Sequence, residues 1–255
     1  MRKPASSQHH PRLLRATARR AGRPEAEAEA EWQPARIEDH AVIGNLRTMA
    51  LVSTAGVIDF MCWPDFDSPS VFAALLDPGA GAFSVTPEIA DARVVQSYMP
   101  DSNILVTRWL GEKSSAEVFD LMTVDDSAAN DRGFLLRQVR ATRGTMRVAI
   151  RCRPRLDYGR IKTMARRGKQ EILFHGRKNG QRLALRALGP GGAVAFETSD
   201  GAAAADVTLR MGQTINLTLG DAGFERLSDA SLDDVLRRTN AYWQDWASRS
   251  TYKGR

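Results

Sequence analysis

The sequence predicts a mainly β protein: a large antiparallel two-sheet β-sandwich followed by a C-terminal amphipathic helix. Three observations carry that expectation. More than ten short apolar runs succeed one another between residues 48 and 220, separated by Gly and Asp turns with almost no helical interruption. Two of the runs alternate cleanly. In 145–153, Val148, Ile150 and Cys152 oppose Arg147, Arg151 and Arg153; in 213–220, Ile215, Leu217 and Leu219 oppose Thr214, Asn216 and Thr218. A period of two sends apolar side chains to one face, which is the pattern of half-buried antiparallel strands with one wet face. Third, helical spacing takes over only near the end, where Leu232, Val235, Leu236, Trp243 and Trp246 recur on one side.

Taken in order, the chain opens with an extension over residues 1–35 that is basic and then Glu/Ala-repetitive, a composition too poor in apolar side chains to fold. Its first 24 residues hold seven Lys or Arg and no acid, and the rest of the chain carries 29 basic against 30 acidic residues. The net charge of +6 therefore belongs to the tail, and a nucleic-acid partner is not expected from it. A second basic stretch, 151–182, has eleven Lys or Arg against Asp157 and Glu171 but no aromatic interleaving, and reads as a solvated strand face and loop. The tail lacks the apolar core of a signal peptide, and no run approaches a membrane span. A soluble, cytoplasmic protein is expected, although the Arg-rich start also has the flavour of an organellar transit peptide. Cys62 and Cys152, far apart and in no ligand spacing, read as small buried hydrophobes of a reducing compartment.

Residues 48–53 and 57–63 flank Thr54-Ala55-Gly56 as a hairpin. Over 68–77 a short helix is expected, with Ser68 as cap, Pro69 in the first helical position and Val71, Phe72, Leu75 and Leu76 on one face, stopped by Asp77-Pro78-Gly79. Strands follow at 82–86, 93–99, 103–110, 116–124, 134–142, 145–153, 171–176, 182–188, 193–199, 205–211 and 213–220. Ser231 is the expected N-cap of the last helix, with Asp233 and Asp234 in a first turn that favours negative charge. Gly254 is followed by one residue, so a finished helix terminus is not written here and a truncated chain is expected.

Chemistry-bearing residues crowd around the first hairpin: Glu38, Asp39, His40, Arg47, Asp59, Trp63, Asp65, Phe66 and Asp67. Paired carboxylates beside aromatic rings are what glycoside hydrolysis uses. Asp is equally common in turns, where it hydrogen-bonds nearby backbone, and spacing alone fixes no separation between two carboxylates. Turns, caps and hairpin packing are the preferred reading of the cluster. His40 and His175 have no partner at ligand spacing and read as structural, so neither a metal nor a cofactor is expected; "GPGG" at 189–192 lacks the Lys and the helix of a phosphate loop, and no nucleophile motif occurs.

The stretch "IEDHAVIGNLRTMALVSTAGVIDFMCWPDFDSPSVFAALLD" (37–77) resembles the opening of bacterial family 15 glycoside hydrolases, the glucoamylase and trehalase-like enzymes. "RPRLDYGR" (153–160) is similar to a second stretch of the same N-terminal domain, and "YWQDWASRSTYKGR" to the segment leading into the catalytic domain. Asn45-Leu46 stands where the family often has a small second residue, and Phe60 where it often has Trp. The resemblance implies a β-sandwich over 36–226, then a linker helix and the start of an (α/α) barrel over 227–255. In the family that barrel supplies two catalytic glutamates and hydrolyses α-glucosidic bonds with inversion. No catalytic residue is then expected in this chain. Its partners would be a separately supplied barrel, an α-glucan or trehalose, or a second copy of the chain meeting through the terminal helix. Loop residues Trp63, Asp65, Phe66, Asp67 and Ser68 are the substrate-binding candidates, and Tyr242, Trp243, Trp246 and Tyr252 the interdomain-packing candidates. A stand-alone carbohydrate-binding module is the alternative.

Overall fold

The structure is a computed structural model that describes residues 35–124, 133–176, 180–223 and 227–251. The expected extension, but for Ala35, and Tyr252 lie outside the described residues.

The chain weaves between two antiparallel sheets. It begins in the first with β1 (His40–Gly44), β2 (Met49–Ser53), β3 (Val57–Cys62), β4 (Ser70–Phe72) and β5 (Ala82–Glu88), then crosses to the second with β6 (Arg93–Tyr98), β7 (Leu105–Leu110), β8 (Ser115–Met122) and β9 (Leu135–Arg143). It returns with β10 (Thr145–Arg153), crosses again with β11 (Thr163–Arg167), β12 (Ile172–Gly176), β13 (Arg182–Gly189) and β14 (Gly192–Ala193), and comes back with β15 (Glu197–Ser199) and β16 (Ala202–Arg210). The last strand, β17 (Thr214–Asp221), joins the second sheet, and α1 (Asp229–Ser248) follows. Strand order is β1-β2-β3-β5-β10-β16-β15 in the first sheet and β11-β12-β13-β17-β9-β8-β7-β6 in the second. The expected mainly β, two-sheet sandwich with a terminal helix is what the chain forms.

The inner faces meet in one apolar core. Ile43, Val52, Phe83, Val148 and Ile150 from the first sheet are closed to solvent, as are Val118, Val139, Phe174 and Leu217 from the second. Burying each such side chain contributes about 1.5–3 kcal/mol before chain entropy is set against it. A charge crosses this core. Arg137 of β9, 0% exposed, donates from Nε to Asp120 Oδ1 at 2.7 Å and from Nη2 to Asp120 Oδ2 at 3.1 Å. It also reaches the first sheet, donating to the carbonyls of Phe83 at 2.7 Å and Gly56 at 2.6 Å, with its guanidinium 5.0 Å from the Phe83 ring centroid. The hairpin turn that needs Gly56 at φ 73° is thereby tied to the opposite sheet.

The two outer faces differ. On β10 the expected wet face is present, with Arg147 and Arg151 exposed and paired to Asp206 at 2.7 and 3.0 Å. On β17 it is not: Asn216 and Thr218 are buried because α1 lies across the second sheet. Leu232 and Val235 pack there against Ile104, Leu121, Phe134 and Leu136. The polar side chains trapped beneath the helix find partners. Gln138 donates to Asn216 at 2.9 Å and to Asp233 at 2.8 Å, and Asn216 donates to Asp229 at 2.9 Å. A buried amide left unpaired would cost as much as a lost hydrogen bond, so these carboxylates fix where the helix sits.

Several local expectations are corrected. Residues 70–72 form β4 and not a helix, because Val71 and Phe72, with Ser70, are buried beside β3, in the registers Met61↔Phe72 and Cys62↔Ser70. Asp77 then caps the 3-10 turn Pro78–Ala80 by accepting from Gly79 N at 2.8 Å. The helix cap is Ser228, whose Oγ accepts from Ser231 N at 3.2 Å. The expected strand at 193–199 divides into β14 and β15, which belong to opposite sheets, and β1 and β11 add strands the sequence pattern did not mark. At the sandwich margin, the Tyr98 hydroxyl donates to Val42 O and accepts from Val42 N, both at 2.8 Å, so β6 of one sheet clasps β1 of the other.

Candidate functional site

The loop 63–69 hangs between β3 and β4, closed at its base by the Cys62↔Ser70 pair. Its shape follows from bonds that the sequence writes locally. Asp65 N donates to Ser68 Oγ at 3.1 Å and Ser68 N to Asp65 O at 3.1 Å, a reciprocal turn. The Trp63–Pro64 peptide is cis. From the neighbouring β1–β2 turn, Arg47 Nε donates to Asp65 Oδ1 at 2.7 Å, and Phe66 N donates to Arg47 O at 2.8 Å. That turn is itself an Asx turn: Asn45 Oδ1 accepts from Arg47 N and Thr48 N, leaving Leu46 exposed at φ 68°.

These contacts divide the five sequence candidates. Trp63 is 1% exposed, its Nε1 donating to Asp221 at 3.0 Å and its carbonyl accepting from Gln181 at 2.9 Å. It anchors the loop to the second sheet and presents no ring face. Asp65 and Ser68 brace the turn. Phe66, 67% exposed, and Asp67 remain outward, where a ring face and a carboxylate are free to meet a partner. An open groove runs beside the loop, floored by Gln181, Arg182, Asp221 and Gly223.

The helix aromatics divide in the same way. Trp243 is buried against its own domain and stands edge-on to Tyr242 and Trp246, with centroids 5.5 and 5.9 Å away. Trp246 is 51% exposed and borders a groove with Val42, Leu46, Tyr98 and Asn103. Leu46 precedes Arg47, so the far end of α1 reaches the same end of the sandwich as the loop 63–69.

His40 and Asp59, both singled out in sequence, do come together. Asp59 is the extra residue of a bulge in β3, where Leu51 pairs Phe60 and Val52 pairs Ile58, and its Oδ2 lies 2.8 Å from His40 Nε2. His40 Nδ1 sits 2.9 Å from Arg36 O and must donate to it, so one proton lies between the ring and the carboxylate. Burial pushes the Asp59 carboxyl above the usual carboxylate range, against the pull of its bond with His40. A raised carboxyl is what a general acid needs, but both side chains are closed to solvent and no substrate reaches them. Among the described residues, no group of three or more His, Cys, Asp or Glu could hold a metal ion, and no helix is long and apolar enough to cross a membrane. The Arg137–Asp120 pair and the partnership of His40 with Asp59 had no signal in the sequence, because both join residues set apart by 17 and 19 positions on different strands.

Comparisons with known proteins agree with this architecture. A family model described as "Trehalase-like, N-terminal" matches residues 30–245. A trehalase of Mycolicibacterium smegmatis is 33% identical over 140 residues, 49% of this chain and 21% of that protein. A trehalase of Thermoplasma volcanium is 27% identical over 224 residues, 86% of this chain and 35% of that protein. The chain thus spans about a third or less of these curated relatives. A crystal structure of a bacterial glucoamylase complexed with acarbose shares the fold with a TM-score of 0.53 at 10% identity, over 92% of this chain and 40% of that one.

Proposed function

The chain belongs to the trehalase-like N-terminal domain family, and from that premise we propose that it is the non-catalytic β-sandwich of a glycoside hydrolase acting on α-glucosidic bonds. Its task is to support an (α/α) barrel that carries the bond-breaking carboxylates, and to border the mouth of that barrel's active site with the loop 63–69. One observation carries the reading: the exposed pair Phe66 and Asp67 and the exposed Trp246 of α1 are brought to the same end of the sandwich. A segment continuing from α1 would meet the domain there. Phe66 would offer a ring for stacking on a sugar face and Asp67 an acceptor for sugar hydroxyls, while Trp63 and Asp65 hold the loop rigid. Trp243 orients the helix; Trp246, Tyr242 and Tyr252 contribute to the interdomain contact. The two free, buried cysteines favour a cytoplasmic setting.

The test is kinetic. In a protein that carries both domains, Phe66→Ala and Asp67→Ala are expected to lower kcat/KM on trehalose or maltose about three- to tenfold, each within the range of one lost contact of about 0.6–1.4 kcal/mol, with unchanged melting temperature. Unchanged kcat/KM in both variants removes the loop from the active-site mouth. The 255-residue chain alone is expected to release no glucose from either disaccharide, and release would overturn the scaffold reading. Micromolar binding of trehalose by the chain alone, read by calorimetry, would favour the carbohydrate-binding module, for which Phe66 and Trp246 are the two most exposed rings among the described residues.

A further inference from the structure

The β1–β2 turn, residues 45–48, is drawn tight. Asn45 N donates to Thr48 O at 3.2 Å, and a Cβ on Gly44 would stand 2.8 Å from that same carbonyl, so glycine is what lets the strands come this close. Leu46 is left in the left-handed region at φ 68°, where an apolar side chain is strained and stays only if its neighbours are held. Asn45 holds them. Its Oδ1 accepts from Arg47 N at 3.2 Å and from Thr48 N at 3.0 Å, and its Nδ2 donates at 3.3 Å to Thr123 O, just past β8 of the second sheet.

From this braced turn three contacts reach the loop 63–69. Thr48 Oγ1 donates to Cys62 O at 2.6 Å, at the loop's first foot. Arg47 Nε donates to Asp65 Oδ1 at 2.7 Å, with Nη2 also 2.7 Å from that oxygen. Arg47 O accepts from Phe66 N at 2.8 Å, which fixes the backbone of the residue whose ring faces outward. The ion pair is only about a third exposed, 33% for the Arg47 side chain and 38% for that of Asp65, so water screens it less than an open surface pair.

We infer that Arg47 is a positioning residue for the loop 63–69 and that Asn45 sets Arg47, so that the turn 45–48 decides where Phe66 and Asp67 stand. The importance of that placement for catalysis rests on the proposed role of the loop; the hold on the loop does not. A turn that only joined β1 to β2 would need neither the Asn45 amide on the second sheet nor the Arg47 guanidinium on Asp65.

The experiment follows amide hydrogen exchange by mass spectrometry in the 255-residue chain, over 63–70 for the loop and over 135–143, in β9, as reference. Every bond the variants delete is made by a side chain, and Phe66 N, bonded to Arg47 O, reports whether turn and loop stay together. Arg47→Ala is expected to speed exchange over 63–70 about three- to fivefold, the size of a partly screened ion pair. Asp65→Ala should do the same, and the double variant no more than either, since all three lack one shared contact. Asn45→Ala frees both turn amides and the anchor on Thr123, and should exceed them at about tenfold. Asn45→Asp keeps the acceptor for those amides and should fall below Asn45→Ala. In every variant exchange over β9 is expected to stay as in wild type, whereas loss of a residue that merely stabilised the fold would speed both regions together. Unchanged loop exchange in Arg47→Ala or in Asn45→Ala, effects that multiply in the double variant, or equal acceleration of β9 overturns the inference. In a two-domain protein, Arg47→Ala should lower kcat/KM about two- to fivefold, and should add nothing once Phe66→Ala and Asp67→Ala are in place, because it acts through them. A loss that persists in that background overturns the positioning role. If Phe66→Ala and Asp67→Ala themselves leave kcat/KM unchanged, the sugar-facing role falls while the hold of the turn on the loop, read by exchange, stands.

Discussion

Asp120 and Asp59 are both carboxylates closed to solvent, one in each sheet, yet the fold treats them in opposite ways. Asp120 has both oxygens met by Arg137, which also donates to two carbonyls of the other sheet. Asp59 has one oxygen on His40 and the other, Oδ1, buried with no hydrogen-bond partner. The first arrangement leaves neither carboxylate oxygen without a partner, and it joins the sheets through the middle of the core. The second is half complete, so the fold resists ionisation of that carboxyl. A buried charge is thus a fastener in one place and a proton-sensitive joint in the other, and the number of partners decides which.

The contrast can be broken most severely at Arg137. Arg137→Ala strands the Asp120 carboxylate and is expected to cost about 3–5 kcal/mol in chemical denaturation. The double variant Arg137→Met with Asp120→Leu removes both charges and should recover most of that loss; if it does not, the carbonyl bonds to Phe83 and Gly56 carry more of the fastening than the ion pair does. A smaller effect is expected at the joint. His40→Ala leaves Asp59 without a side-chain partner and should cost about 1–3 kcal/mol, whereas Asp59→Asn can still donate to His40 Nε2 and should cost well under that.

The joint is next distinguished by pH. Because the folded-state pKa of Asp59 is raised, the folded protein keeps that proton to a higher pH than the unfolded chain does. Its contribution to stability is full below the unfolded carboxylate value of about 3.9 and drains away as pH climbs through the folded value. Denaturation midpoints of wild type should therefore fall relative to Asp59→Asn as pH rises through that window. Parallel profiles would mean that the carboxyl is not resisted by the fold. Smallest is the surface control. Burial pulls Asp206 upward, but its hydrogen bonds and charge contacts with Arg147 and Arg151 outweigh that and lower its pKa overall. Its contribution is present above the unfolded value and lost as pH falls, the reverse of Asp59. Asp206→Ala should cost below about 1 kcal/mol.

What the sequence made legible was periodic. Val148, Ile150 and Cys152 alternate because one face of β10 meets the core, and the helix shows because Leu232 and Val235 must land on one stripe. What it hid was decided by distant partners. Val71 and Phe72 fit a helical face as well as a strand, and only the proximity of β3 selects the strand. The alternation of β17 marked Asn216 and Thr218 as polar but could not say that a helix would cover them. At the candidate site the residues were found and their division was not. Trp63 and Phe66 look alike as exposed or buried rings until Asp221 and Gln181 are seen to take the indole and its carbonyl.

The Tyr98 clasp on Val42 has a further consequence. An outermost strand normally offers bare amides and carbonyls, which is how one polypeptide recruits another into fibrils. Here a single phenol occupies both groups at the centre of β1, so a stray strand approaching that rim must first evict a ring hinged on the opposite layer. One oxygen atom thus ties the two layers together at this rim and leaves neither backbone group of Val42 open to a stray strand.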